Sequence, residues 1–103
     1  MKDKIAKSFS PPPSLELGIN VIADVVKTLT NCPGVYRMID DNSNILYVGK
    51  AKGLKRRVAS YTRPFKLPIR MQRMIAATRL VEIVETHTEV EALLLESNLI
   101  KKL

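Results

Sequence analysis

A chain of 103 residues with 46% apolar content holds one globular domain, and none of its apolar runs is long enough to span a membrane. A single cysteine, Cys32, excludes an intrachain disulfide framework and a cysteine-rich zinc site, and it fits a reducing, cytoplasmic setting. A net charge of +7 and a pI near 9.8 point to a polyanionic partner, with a basic protein lacking such a partner as the plain alternative.

Residues 1–13 are charged and polar and end in three prolines, which predicts a disordered extension. Their lysines precede no apolar core, so they do not read as a secretory signal. Ser14 is the N-cap expected of a helix over 14–30, with Leu15, Ile19, Ile22, Val26 and Leu29 at helical spacing. Gly18 counts against that helix. Pro33 ends it, because the residue before a proline disfavours helical geometry.

Two short strands follow, Val35–Ile39 and Ile45–Val48, joined by the turn cluster Asp40-Asp41-Asn42-Ser43-Asn44. Alternation puts Tyr36 and Met38 on one face of the first strand. Ile45 and Tyr47 share a face of the second, so the two tyrosines are expected near each other on one face of the hairpin. Gly49 is expected to end the second strand, at a bend or a close backbone approach. Cys32 has no histidine beside it in sequence and reads as a small packed residue.

From Lys50 to Arg73 there are nine basic residues and no acidic one: Lys50, Lys52, Lys55, Arg56, Arg57, Arg63, Lys66, Arg70 and Arg73. Leu54 to Tyr61 reads as a short helix, Pro64 and Pro68 break the next stretch into a loop, and Ile69 to Thr78 reads as a second basic helix. A solvated face is the ordinary explanation of such a run. The missing carboxylates argue instead for phosphate contacts. Phe65 is expected in the core, and spacing leaves Tyr61 open between core and base stacking.

Leu80–Val84 alternates as a third strand. His87, the single histidine, is expected at the surface in a loop. Thr88 and Glu91 form a capping box for a last helix that runs to the end of the chain. On that helix Glu96 sits one turn from Ala92, Leu93, Leu99 and Ile100. A carboxylate among apolar neighbours is costly unless it is paired with an arginine, binds a metal or lies at the edge of the stripe, and periodicity does not choose among these.

Gly34-Val35-Tyr36 and Tyr47-Val48-Gly49 resemble the two halves of the GIY-YIG nuclease motif, with valine where the motif has isoleucine. The Lys50-Ala51-Lys52 continuation and the run from Glu91 to Lys102 narrow the resemblance to the N-terminal UvrC-type branch of that family, over roughly residues 32–103. The resemblance implies an α/β (α+β) fold: a small three-stranded antiparallel sheet flanked by helices, spanning 14–103 with the motif core at 32–103. It implies a DNA endonuclease using one divalent cation, Mg²⁺ or Mn²⁺, held by Glu96. Tyr36, Tyr47, Lys50, Arg57 and Tyr61 match the catalytic positions, and Lys52, Lys55, Arg56, Arg63, Arg70 and Arg73 are the expected DNA contacts. The implied reaction is incision on the 3′ side of a lesion in double-stranded DNA, with UvrB as partner. Family members continue past the Leu-Ile-Lys-Lys run into a segment whose asparagine belongs to the site. A monomeric chain stopping at Leu103 is therefore expected to fold and bind DNA weakly but to be a poor nuclease alone. Two other readings stand beside this one: a catalytically silent DNA-binding module, and a homing or stand-alone repair endonuclease of the same family.

Overall fold

The computed structural model describes residues 13–86 and 89–101, so the expectations for the first twelve residues, for His87 and for the Thr88 cap lie outside the described residues. Among those described, the order is α1 (Leu15–Val26), β1 (Gly34–Ile39), β2 (Ile45–Ala51), α2 (Leu54–Ala59), two 3₁₀ turns (Ser60–Thr62 and Pro64–Lys66), α3 (Ile69–Ala77), β3 (Leu80–Glu85) and α4 (Glu89–Lys101). The strands form an antiparallel sheet in the order β2-β1-β3. The expected three-stranded sheet flanked by helices is present.

Ser14 caps α1 as its sequence position predicts, its Oγ accepting from the Leu17 N–H at 3.3 Å. The helix stops at Val26 rather than running to residue 30, and Leu29 is buried beyond its end. Gly18 has a packing role that its low helix propensity conceals. A Cβ there would collide with the Ile75 carbonyl oxygen, so α1 and α3 approach backbone to backbone at this point. The Ser14 N–H donates to the Ala76 carbonyl at 2.9 Å and closes the same contact.

In the hairpin turn the Asp40 carboxylate accepts from the backbone N–H groups of Asn42 and Asn44, each at 2.9 Å. The Asn44 backbone bond is the main cause holding the Asp40 carboxyl below its ordinary range. Ser43 supplies the left-handed residue, φ 66°. The register then slips: Ile39 pairs with Ile45, Met38 with Tyr47, and Leu46 is skipped. That bulge overturns the expectation that Ile45 and Tyr47 share a face, since their partners on β1 are adjacent residues of opposite faces. Gly49 does not end the second strand, which continues through Lys50 to Ala51.

One face of the sheet carries Tyr36, Met38 and Val81 into a core with Ile22, Leu54, Val58, Tyr61 and Ile75 from the α1–α3 side. Fully burying each such aliphatic side chain stabilises by about 1.5–3 kcal/mol. The other face buries Val35 and Ile39 and carries the Arg37–Glu82 ion pair between register partners of β1 and β3. The α4 helix packs against β2 and β1. Over residues 93–100 its half-buried positions are Leu95, Glu96 and Leu99, whereas Leu93, Leu94 and Ile100 are exposed.

Candidate active site

Tyr36 stands in the middle of the central strand, directly across from Gly49 on β2. Its ring lies over that glycine: a Cβ at position 49 would sit 2.5 Å from both the ring Cζ and the hydroxyl. The two triplets of the motif thus act together, the glycine of one making room for the tyrosine of the other. Tyr61 reaches the same place from the turn after α2. The two hydroxyls are 2.6 Å apart, with Tyr36 wholly buried and Tyr61 nearly so. Tyr47 completes a triangle, its ring centroid 6.1 Å from Tyr36 and 6.4 Å from Tyr61, with Tyr36 and Tyr61 at 5.8 Å. It is the half-buried member of the three.

The helix that delivers Tyr61 and Arg57 is held by a contact that sequence patterns do not reveal. Gly53 offers α2 no capping side chain, and Asn31 supplies the cap from before β1: its Oδ1 accepts from the Arg56 N–H at 3.1 Å. The Leu54 N–H donates to the Cys32 carbonyl at 2.9 Å. These bonds tie the start of α2 to the entry of the central strand, fixing Arg57 and Tyr61 relative to Tyr36.

Burial pushes the Tyr36 hydroxyl above its ordinary pKa, against the opposing pull of the Tyr61 hydroxyl and the Arg57 guanidinium, both of which favour its anion. Burial also pushes Tyr61 up, and its hydrogen bond to Tyr36 adds to that rise. The electrostatically consistent arrangement has Tyr61 donating and Tyr36 accepting, with Arg57 beside the acceptor oxygen.

Because β2 is an edge strand, groups from both faces meet around its margin. Lys50 is the register partner of Val35, on the face opposite the tyrosines. It nevertheless lines an open pocket of about 420 Å³ with Lys52, Arg56, Arg57 and Ser60. A second groove of about 480 Å³, lined by Leu46, Tyr47, Arg70, Met71 and Met74, opens beside Tyr47. No sequence pattern announces this groove, because the bulge at Leu46 has no pattern of its own. All nine basic residues from Lys50 to Arg73 are exposed. Thus Lys55, Arg63 and Arg73 are placed at the surface like the pocket-lining cations, without being brought to the tyrosines by any bond.

Phe65 is not in the core: it is 83% exposed on the second 3₁₀ turn, where Pro64 takes the buried position instead. Glu96 is half-buried on α4, the helix that packs against the strand carrying Tyr47 and Lys50. Among the described residues, no hydrogen bond or ion pair joins it to the tyrosines, to Lys50 or to Arg57. Nor does any group of three or more His, Cys, Asp or Glu residues converge. A half-buried carboxylate without a protein partner among those residues fits a hard divalent cation that takes one carboxylate and completes its shell with water and phosphate. It does not fit an all-protein cage.

The UvrC-like GIY-YIG domain model matches residues 32–103. UvrABC system protein C of Rhodospirillum rubrum is 59% identical over 91 residues, 88% of this chain and 14% of that protein. The protein of the same name from Paramagnetospirillum magneticum is 63% identical over 89 residues, 86% of this chain and 14% of that protein. The chain therefore spans about one-seventh of the length of these relatives. The crystal structure of the GIY-YIG N-terminal endonuclease domain of UvrC from Thermotoga maritima, bound to its catalytic magnesium, superposes with a TM-score of 0.71 at 33% identity, covering 79% of this chain and 88% of that one. A tyrosine triangle seated on the motif glycine, an arginine beside it and a match across the whole motif region place this chain in the UvrC-like GIY-YIG domain family.

Proposed function

We propose that this chain is the metal-dependent endonuclease domain of a bacterial nucleotide-excision-repair protein, hydrolysing a phosphodiester on the 3′ side of a lesion in double-stranded DNA, in the cytoplasm and with UvrB. One observation carries the reading: the tyrosine triangle adjoins Arg57, which also lines a pocket with Lys50, Lys52 and Arg56 and no carboxylate.

The chemistry follows from that arrangement. Lys50 and Arg57 hold the scissile phosphate and neutralise charge that grows on its oxygens during attack. Tyr47, the member of the triangle with access to solvent, acts as the base in its phenolate form: it first gives its own proton to solvent and then takes one from the attacking water. Tyr36 and Tyr61 keep its ring in place and stay protonated themselves. Lys52, Lys55, Arg56, Arg63, Arg70 and Arg73 track the phosphates on either side, which positions the duplex without reading its sequence. Glu96 holds one divalent cation, Mg²⁺ or Mn²⁺, and when bound the cation supplies a Lewis acid for the phosphate and the leaving oxygen.

The test is metal-dependent nicking of an end-labelled lesion duplex by the full excision-repair assembly. Glu96→Gln is expected to abolish nicking while leaving the circular dichroism spectrum and duplex affinity unchanged. Parental nicking in that variant removes Glu96 from the metal site. A parent chain that binds DNA in the assembly and contributes no 3′ incision is a silent DNA-binding module.

A further inference from the structure

Phe65 is the most exposed large apolar side chain among the described residues, and its exposure is built into the turn. The Pro64 beneath it is fully buried, the Leu67 N–H donates to the Pro64 carbonyl at 2.9 Å, and the Gln72 side chain donates to the Leu67 carbonyl at 3.0 Å. Leu67 packs against the core. The backbone of the turn is thereby pinned on both sides while the phenyl ring projects. Ile69, one turn on, is 61% exposed. Arg63, Lys66 and Arg70, all exposed, flank these two apolar residues in sequence, within a stretch that contains no carboxylate. An aromatic ring presented among cations alone suits a partner that offers phosphates and flat apolar faces together, and nucleic acid does so.

We propose that Phe65 stacks on a nucleobase of bound DNA close to the incised phosphate, as a positioning residue for the reaction assigned above. The inference rests on the DNA reading and adds to it a contact with a base rather than with the backbone. Its reach is bounded by the chain. Phe65 lies four positions after Tyr61, and that offset spans at most about 14 Å. Nucleotides along one strand are spaced by about 3.4 Å, so the stacked base lies within roughly four nucleotides of the phosphate held beside the tyrosines. The cations supply attraction without preference for a base, and the ring holds the duplex in one register along the pocket.

The chain contains no tryptophan, so Phe65→Trp places a single indole at the proposed contact. Its fluorescence is expected to be quenched on saturation with duplex DNA and to remain unquenched on saturation with inorganic polyphosphate, which offers charge without bases. Phe65→Ala is expected to bind single-stranded DNA roughly five- to a hundredfold more weakly, the range of one base–aromatic stack, and duplex more weakly by a smaller factor, because a ring enters a duplex only by unstacking a base step. Its salt slope should equal the parent's, since no phosphate contact is lost. Its melting temperature should also match, since the ring touches little in the free protein. Phe65→Tyr, which keeps a stacking face, should restore affinity. Binding by anisotropy without indole quenching, or equal quenching by polyphosphate, overturns the stacking proposal and leaves the DNA reading intact. Parental DNA affinity in Phe65→Ala also overturns it and points to a protein surface. Absence of any anisotropy change with the parent chain overturns the DNA reading itself.

Discussion

Between the tyrosine triangle and the basic strip from Lys50 to Arg73, packing differs as much as charge does. Tyr36 is sealed under Tyr61 and over Gly49, so the position of each group is dictated by the next. The cations of the strip are all exposed, and their side chains hold no fixed relation to one another in that way. Groups in contact respond to substitution as a unit, whereas separated surface groups respond almost additively. The difference teaches where geometry is set and where only charge density matters: chemistry needs the first and capture of a polyanion needs the second. Substitutions in the triangle should therefore change rate and fold together, and substitutions in the strip away from Lys50 and Arg57 should change binding alone.

The largest effect is expected from the glycine under the ring. In Gly49→Ala the new methyl group occupies the place of the Tyr36 ring edge, and a ring enclosed by the core has nowhere close to move. Overpacking of this kind costs about 1–3 kcal/mol of stability. A displacement of about 1 Å in a catalytic group costs on the order of 10²-fold in rate. Urea denaturation and single-turnover nicking, run on the same preparation, should both fall while duplex affinity holds. A folded variant with parental nicking would show that the ring position does not govern the chemistry.

Tyr61→Phe should have the next largest effect. It removes the hydroxyl that donates to Tyr36 and leaves that buried oxygen with Arg57 as its remaining partner, a loss of about 0.5–1.5 kcal/mol for one hydrogen bond. The pH dependence sharpens this. Burial raises both hydroxyls above the ordinary value near ~10, so their stabilising contribution is complete below that pH and is lost as pH climbs through the folded-state values. The parent should thus lose stability steeply above about pH 10. Tyr61→Phe, with one raised group removed, should start lower and decline less. Denaturation midpoints between neutral pH and the alkaline limit check this, and parallel curves for the two proteins would contradict it.

How far each region could be read from sequence follows from the same contrast. Alternation in Val35–Ile39 put Tyr36 and Met38 on one face, and two motif triplets at hairpin spacing put Tyr47 near Tyr36; the two rings do meet, but through the slip at Leu46 and not by the shared face of Ile45 and Tyr47. Spacing left Tyr61 open between core and base stacking, and only the resemblance to the motif family put it in the site, where it lies buried against Tyr36. The partnership of Gly49 with Tyr36 was not legible, since it depends on register across the hairpin, and the slip at Leu46 changes the faces on one side of that register. Gly18 misled for a related reason: propensity counts a glycine against a helix, while the close approach of α3 demands one. Asn31 capping α2 joins residues 25 apart, beyond any local pattern. Phe65 was the clearest miss. Composition favours burial of a phenylalanine, but Pro64 took the inward position in the turn and its neighbour was left outside.

The smallest effect on the fold, and the cleanest on binding, is expected from Lys55 and Arg73 replaced together by Ala. Both are exposed, and each lies outside the two pockets beside the tyrosines. Surface substitutions of this kind change stability by no more than about 0.5 kcal/mol each. If both side chains neutralise phosphates, each releases its share of condensed counterions, and the slope of log K against log salt should become shallower by roughly 0.9 for each, about 1.8 for the pair. Fluorescence anisotropy across a salt series measures that slope directly. An unchanged slope with unchanged affinity would assign these two positions to a solvated face that DNA does not reach. The contact surface would then shrink to the cations around the two pockets and the ring of Phe65. A slope change accompanied by a large loss of stability would instead mean that the strip is coupled to the core, and the separation between the two regions would fail.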